Sequence, residues 1–328
     1  MNYKDMGISY ARNGEYKKAI TYLQKAIHEG DKVAIVDLGV VYEKMGDYEN
    51  AHKCYEFCAR FNPVAAHNLG NLYEQGKGVE QDYSYAMLWY ELSAKKGYYF
   101  SYHKMAWLAE HGLGMKVDQK FAFECELKAY EGECDSSLAD GECACNLGYY
   151  YENGIGTEQN YEKAVECYEQ GHKLGELYST YNLAIMYIYS RGVEKDIDHA
   201  VTLLFHSGKN GLTIACEKLY ELYSNEEYGI KDESLATHWL YEALNNGSVP
   251  AFLLYAEMCL KGENYDKVVD VEEAQKAIED FLKRVDPSYQ EEIRSYELIK
   301  KEFPNTLNWE ALEKKFNYTL KSKNIVQA

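Results

Sequence analysis

Small and apolar residues recur along the chain at helical spacing, broken at regular intervals by glycine. The stretch Ala65-Ala66-His67-Asn68-Leu69-Gly70-Asn71-Leu72-Tyr73 sets Ala65, Leu69, Leu72 and Tyr73 on one face of a helix. Gly76-Lys77-Gly78 follows and predicts a stop, because glycine accepts the left-handed conformation of a helix C-cap. Asp82 stands where its carboxylate can accept the free N–H groups of a second helix, whose apolar stripe is Ala86, Trp89, Tyr90 and Ala94. The predicted unit is helix–turn–helix, with small residues at 70 and 86 allowing the two helices to approach closely.

The unit repeats. The small residue after the leucine-like position falls at Gly70, Ala106, Gly148, Ala184, Tyr220 and Ala256, at spacings of 36, 42, 36, 36 and 36. Eight residues later come Gly78, Gly114, Gly156 and Gly192, and eight further come Ala86, Ala122, Ala164, Ala200 and Ala236. Asp118, Asn160 and Asp196 take the place of Asp82, and units close near Gly97, Gly175, Gly211 and Gly247. Columns that stay in step over this distance point to stacked repeats. The 42-residue spacing marks a six-residue insertion, and Cys134 to Glu142 is expected to form a longer loop between repeats. The expected fold class is all-α, an α/α solenoid of seven or eight helix pairs without β-sheet.

The pattern Asn68-Leu69-Gly70, Tyr73, Gly76-x-Gly78-Val79, Asp82, Ala86, Trp89-Tyr90, Ala94 and Gly97 resembles the Sel1-like repeat family, with further copies from Asn146 to Gly175 and Asn182 to Gly211. The first two units look instead like tetratricopeptide repeats. They carry Met6-Gly7, Tyr10, Gly14, Tyr16, Ala19, Leu23 and Ala26, then Leu38-Gly39, Tyr42, Gly46, Tyr48, Ala51, Tyr55 and Pro63. The resemblance implies a right-handed superhelix and three stretches. These are two tetratricopeptide-like repeats over 1–64, Sel1-like repeats over 65–262, and an irregular last repeat with C-terminal capping helices over 263–328. Around 220 and 262 the pattern loosens, where Tyr220 replaces a small residue and Lys261-Gly262-Glu263-Asn264 rebuilds the turn.

Charge narrows the partners. The net charge is −18, which disfavours a phosphate backbone and an anionic membrane. No run approaches the ~18 apolar residues of a spanning helix, and the first 14 residues lack the apolar core of an export signal. Nine irregularly placed cysteines then read as reduced thiols in the cytoplasm.

Candidate chemistry is sparse. The G-x-G turns follow helices and recur in every unit, unlike a phosphate loop, which follows a strand. Cys125, Cys134, Cys143 and Cys145 are separated by eight, eight and one residues, poor spacing for tetrahedral zinc. Cys125 also shares a packing column with Cys54, Cys167, Trp89 and Trp239. His67 and His103 share a column, but neither a metalloprotease nor a serine-hydrolase motif is present. The expectation is no enzyme, no metal and no cofactor. The alternative is an enzyme, or an enzyme-regulating subunit, using Cys and His groups in the groove.

Both families are mostly adaptors, so the resemblance implies a scaffold that binds a peptide or protein segment in a concave groove. One column sharpens this. Two residues before each small residue stand Asn68, Lys104, Asn146, Asn182 and Lys218. In tetratricopeptide proteins that clamp a peptide carboxylate, an asparagine here faces the groove and basic residues help. Glu43, Glu74, Glu110 and Glu152, four residues after the small position, are expected to add an acidic rim. The competing reading is that the asparagines bond the neighbouring repeat and fix the stacking. The sequence names neither the partner nor the oligomeric state.

Overall fold

A computed structural model describes residues 2–134, 141–263, 268–285 and 290–315, and among them there are helices and turns but no strand. The chain divides into two compact units, Met1–Ser179 with Arg191–Val193, and Thr180–Ser190 with Glu194–Ala328.

The first unit holds α1 (Tyr3–Arg12), α2 (Tyr16–His28), α3 (Ala34–Lys44), α4 (Tyr48–Cys58), α5 (Pro63–Gln75), α6 (Tyr83–Lys95), α7 (Phe100–His111), α8 (Gln119–Cys134), α9 (Glu142–Asn153) and α10 (Tyr161–Lys173). Each odd helix packs on the even helix that follows it, and each even helix on the next odd one. The predicted caps form with near-identical geometry. Asp82, Asp118 and Asn160 each accept from the backbone N–H three residues on, at 2.9 Å. Gly76 closes α5 in the left-handed conformation, at φ 64°.

Packing explains two of the small-residue columns. Ala86, Ala122 and Ala164 are fully buried. The glycines do more than bring helices together: a methyl group built on Gly70 would lie 2.7 Å from the ring of Tyr90, and one on Gly148 2.6 Å from that of Tyr168. Each glycine thus makes room for a tyrosine ring of its partner helix. Gly156 has a different task. Its φ is +66°, and a methyl there would collide with the carbonyl of Gln119 at the start of α8. The inner turn of one repeat therefore lies directly on the second helix of the repeat before.

The second unit continues the pattern through most of α11 (Leu177–Tyr189), then α12 (Ile197–Lys209), α13 (Thr213–Ser224), α14 (Glu233–Asn245), α15 (Val249–Lys261) and α16 (Val271–Arg284). Asp196 caps α12 at 2.9 Å as its counterparts do. A short 3-10 helix, Glu226–Tyr228, replaces the inner glycine turn. Two further helices, α17 (Gln290–Glu302) and α18 (Trp309–Lys315), close over the last repeat. Phe281, Tyr296, Ile299, Trp309 and Leu312 share one core with α15 and α16, as the capping expectation requires. Of the expected insertion loop, Cys134 ends α8 and Gly141 precedes α9, while 135–140 lie outside the described residues.

Candidate functional site

In the first unit Asn68, Lys104 and Asn146 stand on α5, α7 and α9, all half-buried. Lys104 Nζ donates to Glu74 Oε1 at 3.2 Å. Glu74 Oε2 accepts the hydroxyl of Tyr90, which also lies 2.7 Å from Asn71 Oδ1. Asn68 stands near the hydroxyl of Tyr55, whose proton goes to Glu43 Oε2 at 2.8 Å. The Asn146 amide lies 3.3 Å from His103 Nδ1, which is itself 3.1 Å from both oxygens of Glu126. In the second unit Asn182 on α11 is half-buried. Lys218 on α13 donates to Glu221 at 2.6 Å and to the Tyr189 hydroxyl at 3.3 Å.

The acidic column is more occupied than a bare rim. Glu43, Glu74, Glu110 and Glu152 each accept a tyrosine hydroxyl, from Tyr55, Tyr90, Tyr150 and Tyr168. Burial, with the adjacent carboxylate, pushes these four phenols up, so they remain protonated donors. Two carboxylates carry a cation as well: Glu74 holds Lys104, and Glu152 Oε1 holds Arg191 at 3.1 Å. The lysines of the amide column are thus partly neutralised by carboxylates.

The sequence reading missed the tyrosine column, twenty residues after the small position in the Sel1-like units. It reads Tyr90, Glu126, Tyr168, Leu204 and Leu240. Aligning it would have exposed Glu126, an acid where the neighbours place an aromatic or leucine. Glu126 is 1% exposed, and a buried carboxylate needs a partner; His103 supplies one. Burial alone would lower the His103 pKa, but hydrogen bonding and charge from Glu126 outweigh it and raise the value. His67, one repeat earlier, lacks that acid. It bonds Ser101 Oγ at 2.9 Å, which donates to Ser93 Oγ, which donates to the Pro63 carbonyl. Burial lowers its pKa to about 4, so this imidazole is neutral. Ser93 and Ser101 have no solvent exposure; the chain of hydroxyls ties α5, α6 and α7 together.

The described cysteines are not joined in disulfides, and Cys125, Cys143 and Cys167 are buried. Burial pushes Cys125 and Cys145 up to about 12. Thiols so protonated are poor nucleophiles and poor ligands. Among the described residues no three His, Cys, Asp or Glu side chains stand close enough to hold a metal ion. No described helix is long and apolar enough to cross a membrane.

What the first helices leave uncovered is a face at positions i, i+3 and i+7. It carries Asn68, Asn71 and Gln75 on α5, Lys104, Trp107 and His111 on α7, and Asn146, Tyr149 and Asn153 on α9. Trp107 is 38% and Tyr149 50% exposed.

Comparison with known proteins places this geometry among relatives. Residues 63–98, 100–133, 141–176, 177–205 and 221–248 match the Sel1 repeat, and residues 5–29 and 34–64 match tetratricopeptide repeats. The chain is 36% identical over 74 residues to the ERAD-associated E3 ubiquitin-protein ligase component HRD3 of Candida glabrata, covering 22% of this chain and 9% of that protein. It is 28% identical over 217 residues to HRD3B of Arabidopsis thaliana, a component described in the same words, covering 59% and 33%. The chain thus spans a third or less of the length of these curated relatives. The fold is that of c5321, a protective antigen of uropathogenic Escherichia coli strains displaying an SLR fold. That crystal structure matches with a TM-score of 0.68 over 92% of this chain and 64% of that chain, at 23% identity.

Proposed function

The chain belongs to the Sel1-repeat family, with two tetratricopeptide repeats ahead of its Sel1 repeats, and from that premise we propose that it is a non-catalytic scaffold that binds a protein or peptide segment. The contact surface in this reading is the exposed face of the first helices, the side expected to line the groove. The observation that carries it is the composition of that face on α5, α7 and α9. It combines amides with two exposed aromatic rings. Amides can both donate to and accept from an extended backbone, and aromatic side chains are the commonest energetic anchors of interfaces. Relatives that are components of an E3 ubiquitin-protein ligase support an adaptor role.

A second reading has its own observation. The Asn146 amide meets His103 of the repeat before, which favours a column that fixes stacking. The two readings separate on Asn68→Ala and Asn146→Ala. A partner is first captured by the wild-type chain from source-cell lysate and identified by mass spectrometry. Affinity and Tm are then measured on the same variants. Binding weakened a few-fold with little change in Tm supports the recognition face, because each neutral hydrogen bond contributes only ~0.5–1.5 kcal/mol. A fall in Tm with unchanged affinity makes the column structural. A cytoplasmic setting is part of the proposal, supported by described cysteines that are not joined in disulfides. A disulfide found by intact-mass measurement on protein isolated under thiol blocking would overturn that part.

A further inference from the structure

We propose that α7 carries a recognition site for one arginine or lysine side chain of a peptide partner, built from Trp107 and Glu110. This rests on the scaffold reading and names the partner's chemistry.

The protein's own side chains show what such a carboxylate takes. Glu74, Glu110 and Glu152 share one position in three successive repeats. Each has Oε2 held by a tyrosine hydroxyl, Glu74 and Glu152 by a tyrosine of the second helix in the same repeat and Glu110 by Tyr150 of the next repeat's first helix, so each is restrained with Oε1 left over. Glu74 Oε1 takes the ammonium of Lys104 and Glu152 Oε1 the guanidinium of Arg191. At Glu110 the chain supplies no such group among the described residues. The position that gave Lys104 is Asn146 in the next repeat, and the position that gave Arg191 is Ile155. The sequence of 135–140 holds no Lys or Arg either. A restrained, partly buried carboxylate without a counter-ion attracts one from a partner, and the net charge of −18 favours a basic partner throughout.

Beside Glu110 the aromatic ring is also in place. Trp107 is one turn before Glu110 and 38% exposed. The His111 ring lies against it, tilted by 32° with ring centroids 4.8 Å apart, and its Nδ1 is 2.9 Å from the Trp107 carbonyl. That contact steadies the indole. Arginine and lysine lay an aliphatic stem on such a ring and are drawn to its face. Tyr149, in the same column of α9, extends the aromatic surface. Lys104, one turn back on α7, is held by Glu74 and leaves the charge of Glu110 uncancelled. At Glu43 the corresponding neighbour is Val40, so the pairing of ring and unpaired acid belongs to α7.

The test selects peptides from a random dodecapeptide library displayed on phage, using the full chain, and measures labelled winners by fluorescence anisotropy. The expected winners carry Arg or Lys and weaken as salt rises. Glu110→Gln keeps an acceptor for Tyr150, so the fold is retained, and it should weaken binding about tenfold, the scale of one charge-assisted hydrogen bond. Replacing the peptide's arginine by citrulline should cost the same against the wild type and nothing further against Glu110→Gln. Trp107→Ala should weaken binding comparably at unchanged Tm. Winners without basic residues that still lose affinity on Asn68→Ala or Tyr149→Ala would overturn the anchor and leave the scaffold reading standing. Equal citrulline losses in wild type and Glu110→Gln would also overturn the anchor. Failure to select any peptide that responds to these substitutions would overturn both.

Discussion

At the scale of single residues, His67 and His103 hold one position in successive repeats yet titrate in opposite directions. His103 gains Glu126; Glu142 adds to its charge field, and Lys104 opposes it. Its folded pKa is raised above the ordinary 6.5. The stability it contributes is therefore complete below about 6.5 and is lost as pH rises through the raised value. Above that window Glu126 remains buried without a cation among the described residues. His67 is the reverse case. Burial, then Lys104 and His103, lower it to about 4. Its contribution is complete above 6.5 and is lost as pH falls towards 4, on the order of 3 kcal/mol at most. Unfolding curves across pH should show this: His103→Gln flattens the loss on the alkaline side, and His67→Gln flattens the loss on the acid side. Unchanged slopes in both variants would mean that neither imidazole is coupled to folding.

At the scale of elements, the glycine and tyrosine columns act as one device between paired helices. Gly148→Ala should destabilise by about 1–3 kcal/mol, since a methyl would press on the Tyr168 ring. Alanine's better helix propensity, worth about 1 kcal/mol, offsets only part of that. The chain indicates the compensation. Where the small residue is Ala184, the residue twenty positions on is Leu204. Denaturant midpoints should therefore recover in the Gly148→Ala/Tyr168→Leu double variant relative to Gly148→Ala alone. Turn glycines separate in the same way. Gly156 and Gly175 both have positive φ, but a methyl on Gly175 meets nothing within 4 Å, whereas one on Gly156 meets the α8 backbone. Gly175→Asn should cost a few tenths of a kcal/mol and Gly156→Asn more than about 2, measured by urea unfolding.

At the scale of the whole molecule, helices within each unit pack chiefly on their neighbours along the chain, so stability is close to a sum of repeat and interface terms. Damage at one turn should stay local. Hydrogen exchange on Gly156→Asn should show lost protection in α8, α9 and α10, with α1 to α4 protected as in the wild type. Loss spread evenly over every helix would mean that the array unfolds as one cooperative body. Denaturant unfolding of the wild type should likewise be broader than a single two-state transition for 328 residues.

The sequence by itself determined the helices, their ends and the repeat period. These follow from local causes: apolar residues at helical spacing, glycine where φ turns positive, and Asp82, Asp118, Asn160 and Asp196 reaching a backbone N–H three residues away. The amide column was legible too, as residue identities in register. What those side chains touch was not. Lys104 meets Glu74 from 30 residues away, Tyr150 meets Glu110 from 40, and Asn146 meets His103 from 43. Which oxygen is occupied and which is left for a partner depends on how helices of successive repeats stack. That stacking is set by the bulk of the rings against glycine and by the seat of each inner turn on the helix before it. Only the tertiary structure decided that Glu74 and Glu152 are neutralised from within, while Glu110, beside Trp107, meets no cation among the described residues.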